Sequence, residues 1–236
     1  MPTTMPEALA DKIIAQKVSE WETQKKQAKA RRERDQIEVF PFLTLSRHFG
    51  CGEEVLVPQL EKTLGWKVFG RNLLDHLAQR EGLSRSFIET LDESDRNRID
   101  DWVNFLIRSK AILQEDYVIN ISRLIQVIVT QENAIILGRG AHRILKDKKQ
   151  GLRVRLVAPF EDRVKNISSL RKISTAEAEK TVQTIDKERE QFYKRYFDED
   201  IDDFSHYDVS FNTSAMNSDT ICKTIALMIE EKQQSD

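Results

Sequence analysis

Long apolar runs are missing from this chain of 236 residues. None approaches the roughly 20 residues that a bilayer-crossing helix needs, and the N-terminus lacks the apolar core of a signal peptide. The expectation is a cytoplasmic protein. Cysteine is scarce: Cys51 and Cys222 stand far apart, and a disulfide between them is not expected without an export signal. Histidine is nearly as rare. His48, His76, His142 and His206 are scattered, none at metal-ligand spacing from Cys or Asp, so no metal site is assigned. Neither sign of charge dominates. The net charge is −2 and the pI about 6.2, which gives no electrostatic argument for nucleic-acid binding. Internal repeats and low-complexity segments are absent.

What the chain does contain is a globular mixture, 39% hydrophobic and 32% charged. That composition predicts a packed core under a heavily charged surface. The length allows one large domain or two small ones.

Residues 5–35 carry Ala8, Ile13, Ile14, Val18 and Trp21 at helical spacing, with no Gly or Pro after Pro6. This predicts one amphipathic helix, assigned as a segment of its own at 1–36. Lys and Arg dominate from Lys25 to Arg34. A nucleic-acid or membrane role would use that charge. A solvated helix or docking arm is the plainer reading, because Glu22, Glu33 and Asp35 interrupt it.

From 37 to 236 strand patterns alternate with helical ones. Strands are predicted at Val39–Leu45, Lys67–Phe69, Asn133–Leu137, Leu152–Ala158 and Tyr207–Asn212. Helices are predicted at Glu53–Leu64, with Gly65 as the stop, at 71–80, 84–92, 96–113 and 116–131, then at Ala141–Leu145, Phe160–Arg171, Thr175–Tyr196 and Ser218–Glu231. Such alternation implies a parallel sheet with helices on both faces, a three-layer α/β fold. Ligands of such sheets bind beyond the carboxyl ends of the strands, where Ser46–Gly52 and Gly138–Gly140 lie.

A strand, a glycine-bearing loop and a helix form a phosphate cradle, since N–H groups at the helix start face the anion. Aligned on G-x-x-x-x-G-K-[S/T], the loop reads Arg47-His48-Phe49-Gly50-Cys51-Gly52-Glu53-Glu54. Arg47 replaces the first glycine, Glu53 the lysine and Glu54 the Ser/Thr. A carboxylate ~4 Å from a phosphate oxygen would be repelled by roughly 4 kcal/mol at an effective dielectric of 20, so Glu53 and Glu54 are expected to oppose phosphate. Pro58 predicts that the helix starts late, near Val57, or bends there.

Four segments together resemble the cytidylate kinase-like family, a nucleoside-monophosphate kinase branch of the P-loop proteins. They are Leu45-Ser46-Arg47-His48-Phe49-Gly50-Cys51-Gly52; Ala134 to Ala141 with Gly138-Arg139-Gly140; Arg153 to Val164, ending Ala158-Pro159-Phe160-Glu161-Asp162-Arg163; and Asp186-Lys187-Glu188-Arg189 with Tyr193-Lys194-Arg195-Tyr196-Phe197, followed by Tyr207-Asp208 and Asn212-Thr213-Ser214. The resemblance runs from about Leu43 to Ile229. Members commonly lack the loop lysine. Where the family pattern continues Gly-Arg-Glu, this chain has Glu53-Glu54-Val55.

The resemblance implies a P-loop nucleoside kinase fold with a helical acceptor-binding insert at 71–131 and a lid at 165–200. It implies a kinase that uses ATP and Mg2+ to phosphorylate a pyrimidine nucleoside monophosphate such as CMP or dCMP. Ser46, Arg47, His48, Phe49, Gly50, Cys51 and Gly52 would bind ATP. Arg139 would hold the acceptor phosphate, and Lys187 and Arg189, with Arg195 less directly, would act from the lid. Arg163 and Asn212 would touch substrate, Asn212 near the acceptor sugar. Asp186 would orient lid arginines or pair with one. Against these stand plainer readings: a surface or capping Arg139, a solvated helix carrying Lys187 and Arg189, and an Arg163 paired with a carboxylate. Asp75, Arg80 and Asp92 are polar residues of the insert that nothing singles out. Trp102, Phe105 and Ile107 read as core or subunit contacts, which leaves a homo-oligomer open. His48 and Cys51 form no base–nucleophile arrangement. Alternatives to the kinase are a non-catalytic nucleotide-binding or regulatory protein, suggested by Glu53, Glu54 and Pro58, and an interaction module built on the N-terminal helix.

Overall fold

The computed structural model describes residues 7–28, 39–79 and 86–234. Five parallel strands form one sheet in the order β2-β3-β1-β4-β5: β1 Phe42–Arg47, β2 Lys67–Phe69, β3 Ala134–Leu137, β4 Gly151–Val157 and β5 Val209–Asn212. The helices are α1 Glu7–Ala28, α2 Glu53–Leu64, α3 Arg71–Gln79, α4 Glu93–Arg108, α5 Asp116–Gln131, α6 Ala141–Ile144, α7 Phe160–Arg171, α8 Thr175–Phe197 and α9 Ser218–Gln234. A further helical turn lies at 86–89.

The strands are apolar on both faces because both faces are covered. Leu43, Leu45, Ile135, Leu152, Val154 and Leu156 pack with α2 and α9. Phe42, Ala134 and Ile136 face the other way, against a core that includes α5. Register follows, since side chains alternate faces along a strand. Phe42 stands opposite Ala134 and Gly151. A Cβ on Gly151 would come 2.0 Å from the Phe42 ring, so only glycine fits there. The α5 helix buries Val118, Ile121, Leu124, Ile125, Val127, Ile128 and Val129, more than one stripe, because β3, α3 and α4 all pack against it.

Element identities follow the sequence reading, and several boundaries move. The first strand begins at Phe42 rather than Val39 and runs on to Arg47; Pro41 has no N–H to give the ladder. The 96–113 pattern becomes Glu93–Arg108. Its start is set by Asp92, whose side chain accepts from the Asp95 N–H at 2.8 Å, and its end by Lys110 in the left-handed region at φ 58°. The last strand starts at Val209, not Tyr207. Residues 80–85, part of the 71–80 and 84–92 patterns, lie outside the described residues.

Pro58 neither delays nor ends α2. The helix starts at Glu53 with Gly52 as N-cap and passes through Pro58; the late start is corrected. At the sixth helical position the proline leaves only the Glu54 carbonyl without its usual helical donor.

The N-terminal helix, described over 7–28, is docked rather than wholly solvated. Ile14 and Trp21 are buried in the main core, and Trp21 meets Phe87 edge-on at 4.7 Å. Lys17 Nζ bonds both oxygens of Glu132 at 2.6 and 2.8 Å, and Asp11 pairs with His76 at 2.9 Å. The basic stretch from Lys25 to Arg34 lies outside the residues whose side chains are described. No helix among the described residues is long and apolar enough to cross a membrane.

Candidate active site

Two glycine loops meet at the carboxyl ends of β1 and β3. The first joins β1 to α2. Gly50 and Gly52 take φ 85° and 76°, and a Cβ on Gly50 would come 2.9 Å from the Arg163 carbonyl. The loop therefore turns tightly and sets the α2 N-terminus beside it. Among the described residues the N–H groups of Gly50, Cys51 and Gly52 donate to no protein acceptor. Three such donors near a helix start are groups that an anion could accept from. Their neighbour differs: the Phe49 N–H donates to Asp186 Oδ1 at 2.8 Å.

The expected repulsion at Glu53 is met by a different arrangement. The carboxylate turns to the arginines: Oε1 accepts from Arg47 Nε at 2.9 Å and from Arg189 Nη2 at 3.4 Å. Arg189 also donates to the Arg47 carbonyl at 2.8 Å. Glu53 thus serves as an internal counter-ion to two cations of the loop. Its second oxygen, Oε2, is buried without a partner among the described residues. Burial, and then the Arg47 charge, lower the Arg189 pKa to about 10, so it stays charged near neutrality. Glu54 stands at the solvent edge, its carboxyl pushed up by partial burial and by Glu53.

The second loop follows β3. Gly138, Arg139 and Gly140 all have positive φ, at 72°, 52° and 68°. For Arg139 that conformation is costly, and it is held by a clamp. Arg139 Nε donates to Asp75 Oδ1 at 2.5 Å, and its Nη2 donates to Oδ2. The Tyr117 hydroxyl donates to the same Oδ1 at 2.5 Å. The guanidinium lies over Phe192, 4.7 Å from the ring centroid. Burial raises the Tyr117 pKa, which keeps the hydroxyl protonated as donor. The glycine at 140 is required by the Phe197 ring, which a Cβ would meet at 2.0 Å.

Ser46, Arg47, Arg139 and Arg189 line one cavity of about 260 Å3 between these loops, together with Arg71 and Glu188. Gly138 and Gly140 line it too, whereas the other binding and catalytic residues implied by the resemblance lie outside its lining. Arg163 is buried and donates to the Ala158 and Phe49 carbonyls at 3.1 Å each and to Asp186. Asp186 thereby ties the loop to the α7–α8 pair instead of orienting free arginines. Phe49 is packed into that pair with Val164, Ile167, Ala178 and Val182. Lys187 is exposed. Arg195 pairs with Glu115 at 2.9 Å. Asn212 is exposed, and its Oδ1 accepts the Ser214 N–H at 3.0 Å. His48 bonds Asp202 at 3.2 Å. Cys51 is buried and its thiol is pushed up to about 12, mainly by burial, so it stays a thiol.

Sequence reasoning missed how the site is supported. Arg155, almost fully buried on β4, donates to Ser46 Oγ at 2.8 Å and also to Asp202. His142 lines the cavity, stacked with Tyr207 at 4.4 Å and bonded to the Tyr193 hydroxyl at 2.6 Å. Burial, then nearby Arg143, hold it neutral. A charged residue inside an apolar strand, as Arg155 is, was the one readable signal. Arg80 lies outside the described residues, and Asp92 is a helix cap.

The model of the cytidylate kinase-like family matches residues 42–215. No curated protein matches the chain. An uncharacterised protein from Eubacterium ventriosum shares the fold at TM-score 0.62 and 19% identity, over 81% of this chain and 98% of its own. Shikimate kinase from Bacteroides thetaiotaomicron superposes at 0.44 and 13% identity, over 80% and 98%. Dephospho-CoA kinase from Campylobacter jejuni superposes at 0.33 and 12% identity, over 80% and 96%. The chain belongs to the cytidylate kinase-like family.

Proposed function

We propose that this member of the cytidylate kinase-like family transfers the γ-phosphoryl group of ATP to a pyrimidine nucleoside monophosphate, with arginines in the role of the loop lysine. One observation carries the reading: Arg47, Arg139 and Arg189 line a single cavity at the carboxyl ends of β1 and β3. Phosphoryl transfer needs cations around the moving group more than it needs covalent chemistry.

In this reading the Gly50–Gly52 N–H groups hold the ATP phosphates, and Arg47 and Arg189 turn from Glu53 to them. Arg139 exchanges Asp75 for the acceptor phosphate. An oxygen of that phosphate attacks the γ-phosphorus, the bond to the β–γ bridging oxygen breaks, and ADP leaves. No three His, Cys, Asp or Glu side chains gather as a metal site among the described residues. Magnesium, when bound with the nucleotide, would supply further neutralisation of phosphate charge. The test is transfer from Mg-ATP to a panel of nucleoside monophosphates, with Arg139→Ala as control. Turnover with CMP or dCMP that the control lacks supports the proposal.

A second reading rests on the same contacts. Glu53 occupies two cations and Asp186 takes the Phe49 N–H, as a regulatory nucleotide binder without transfer would allow. ATP binding by folded protein that phosphorylates no acceptor would select it.

A further inference from the structure

A second cavity, of about 520 Å3, lies at the opposite end of the sheet. Val39, ahead of β1, and Gln150, just before β4, line it, whereas the first cavity is lined by Ser46 and Gly138 at the strands' far ends. Its walls come from α4, α5 and the turn between α6 and β4. A volume of this size suits a small-molecule ligand.

Its chemistry is specific. Arg98, Lys148 and Lys149 line it against one carboxylate, Asp147. Arg98 reaches Asp95 only at 3.9 Å. Lys148 is half-buried, with its Nζ 5.9 Å from the centroid of the Trp102 ring. Neither lysine forms a salt bridge among the described residues, and Asp147 acts on Lys148 only through its charge. Partial burial lowers the Lys148 pKa, and Asp147 offsets part of that shift. Gln126, 1% exposed, also lines the cavity. Its Oε1 is buried with no donor, and buried acceptors are rarely left so without cause.

We infer that this cavity binds a heteroaromatic phosphate of mononucleotide size. The phosphate meets Lys148, Lys149 and Arg98, the planar ring lies against Trp102, and a ring N–H donates to Gln126 Oε1 once that buried side chain turns toward the cavity. The three features call for three different parts of one ligand: an anion, a flat face and a donor. Inorganic phosphate would satisfy only the first. The inference is independent of the kinase reading, because no residue of the first cavity takes part.

Trp102 supplies the probe. Full-length protein carrying Arg139→Ala, which disables the first cavity, is titrated with AMP, CMP and inorganic phosphate while tryptophan emission is followed. A nucleoside monophosphate is expected to give a saturable change that disappears in Trp102→Phe. The double variant Lys148→Ala/Lys149→Ala, on a surface turn, is expected to weaken binding at least tenfold, and Gln126→Leu severalfold. Absence of a saturable change overturns the proposal, as does binding indifferent to the lysine pair. Equal affinity for inorganic phosphate overturns the aromatic ligand.

Discussion

The two glycine loops solve one problem in different ways. Each presents an arginine to the same cavity, and each arginine is already paired with a carboxylate. At the β3 loop the carboxylate is Asp75, 64 residues away, with both oxygens engaged and Tyr117 as a further donor. At the β1 loop it is Glu53, six residues from Arg47, with one oxygen shared by two arginines and the other unpartnered. The first pair is fully satisfied and the second only half. An incoming phosphate should displace Glu53 more readily than Asp75, because a buried unpaired oxygen already weighs against the Glu53 arrangement.

Arg139→Ala tests the comparison hardest. Loss of one donor to developing charge commonly costs about 10^2–10^3-fold in turnover, and that loss is expected here with the fold retained. Preserved turnover would remove Arg139 from the site. The two loop glycines come next. Gly140→Ala drives a Cβ into Phe197 at positive φ and is expected to cost about 3 kcal/mol in denaturant unfolding. Gly52→Ala meets nothing within 4 Å and should cost only about 1 kcal/mol of backbone strain. Equal costs would show that Phe197 yields.

Glu53→Gln frees Arg47 and Arg189 and is expected to tighten ATP binding about tenfold, or ~1.4 kcal/mol. Calorimetry showing unchanged affinity would mean that Glu53 leaves the site without cost. The smallest effect concerns Asp202, behind the β1 loop. Its hydrogen bond to His48 is the leading cause that lowers its pKa from 3.8 to about 2. The folded value lies below the unfolded one, so the stabilisation is present above pH ~3.8 and lost as pH falls through ~2. In Asp202→Asn the acid limb of an unfolding profile should flatten over that window. An unchanged limb would assign acid loss to other carboxylates.

Much of the fold was legible because it is local. Apolar runs of strand length and Gly65 as a helix stop each act within a few residues. The Gly138–Gly140 loop could be placed for the same reason, since positive φ is a property of single residues. Lys187 and Arg189 could not be separated by sequence, although one is exposed and the other reaches the Arg47 carbonyl. Two residues apart on a helix, they point in different directions, and only packing says which way is inward.

The sequence by itself therefore determined the strand and helix order, the two glycine loops and the arginine that each brings. Tertiary structure decided which carboxylate each arginine meets: Asp75 for Arg139, Glu53 for both Arg47 and Arg189, and Asp186 for Arg163. The physical reason is range. Backbone conformation is fixed by neighbours along the chain, whereas an ion pair depends on where distant side chains come to lie and on how much water is left between them.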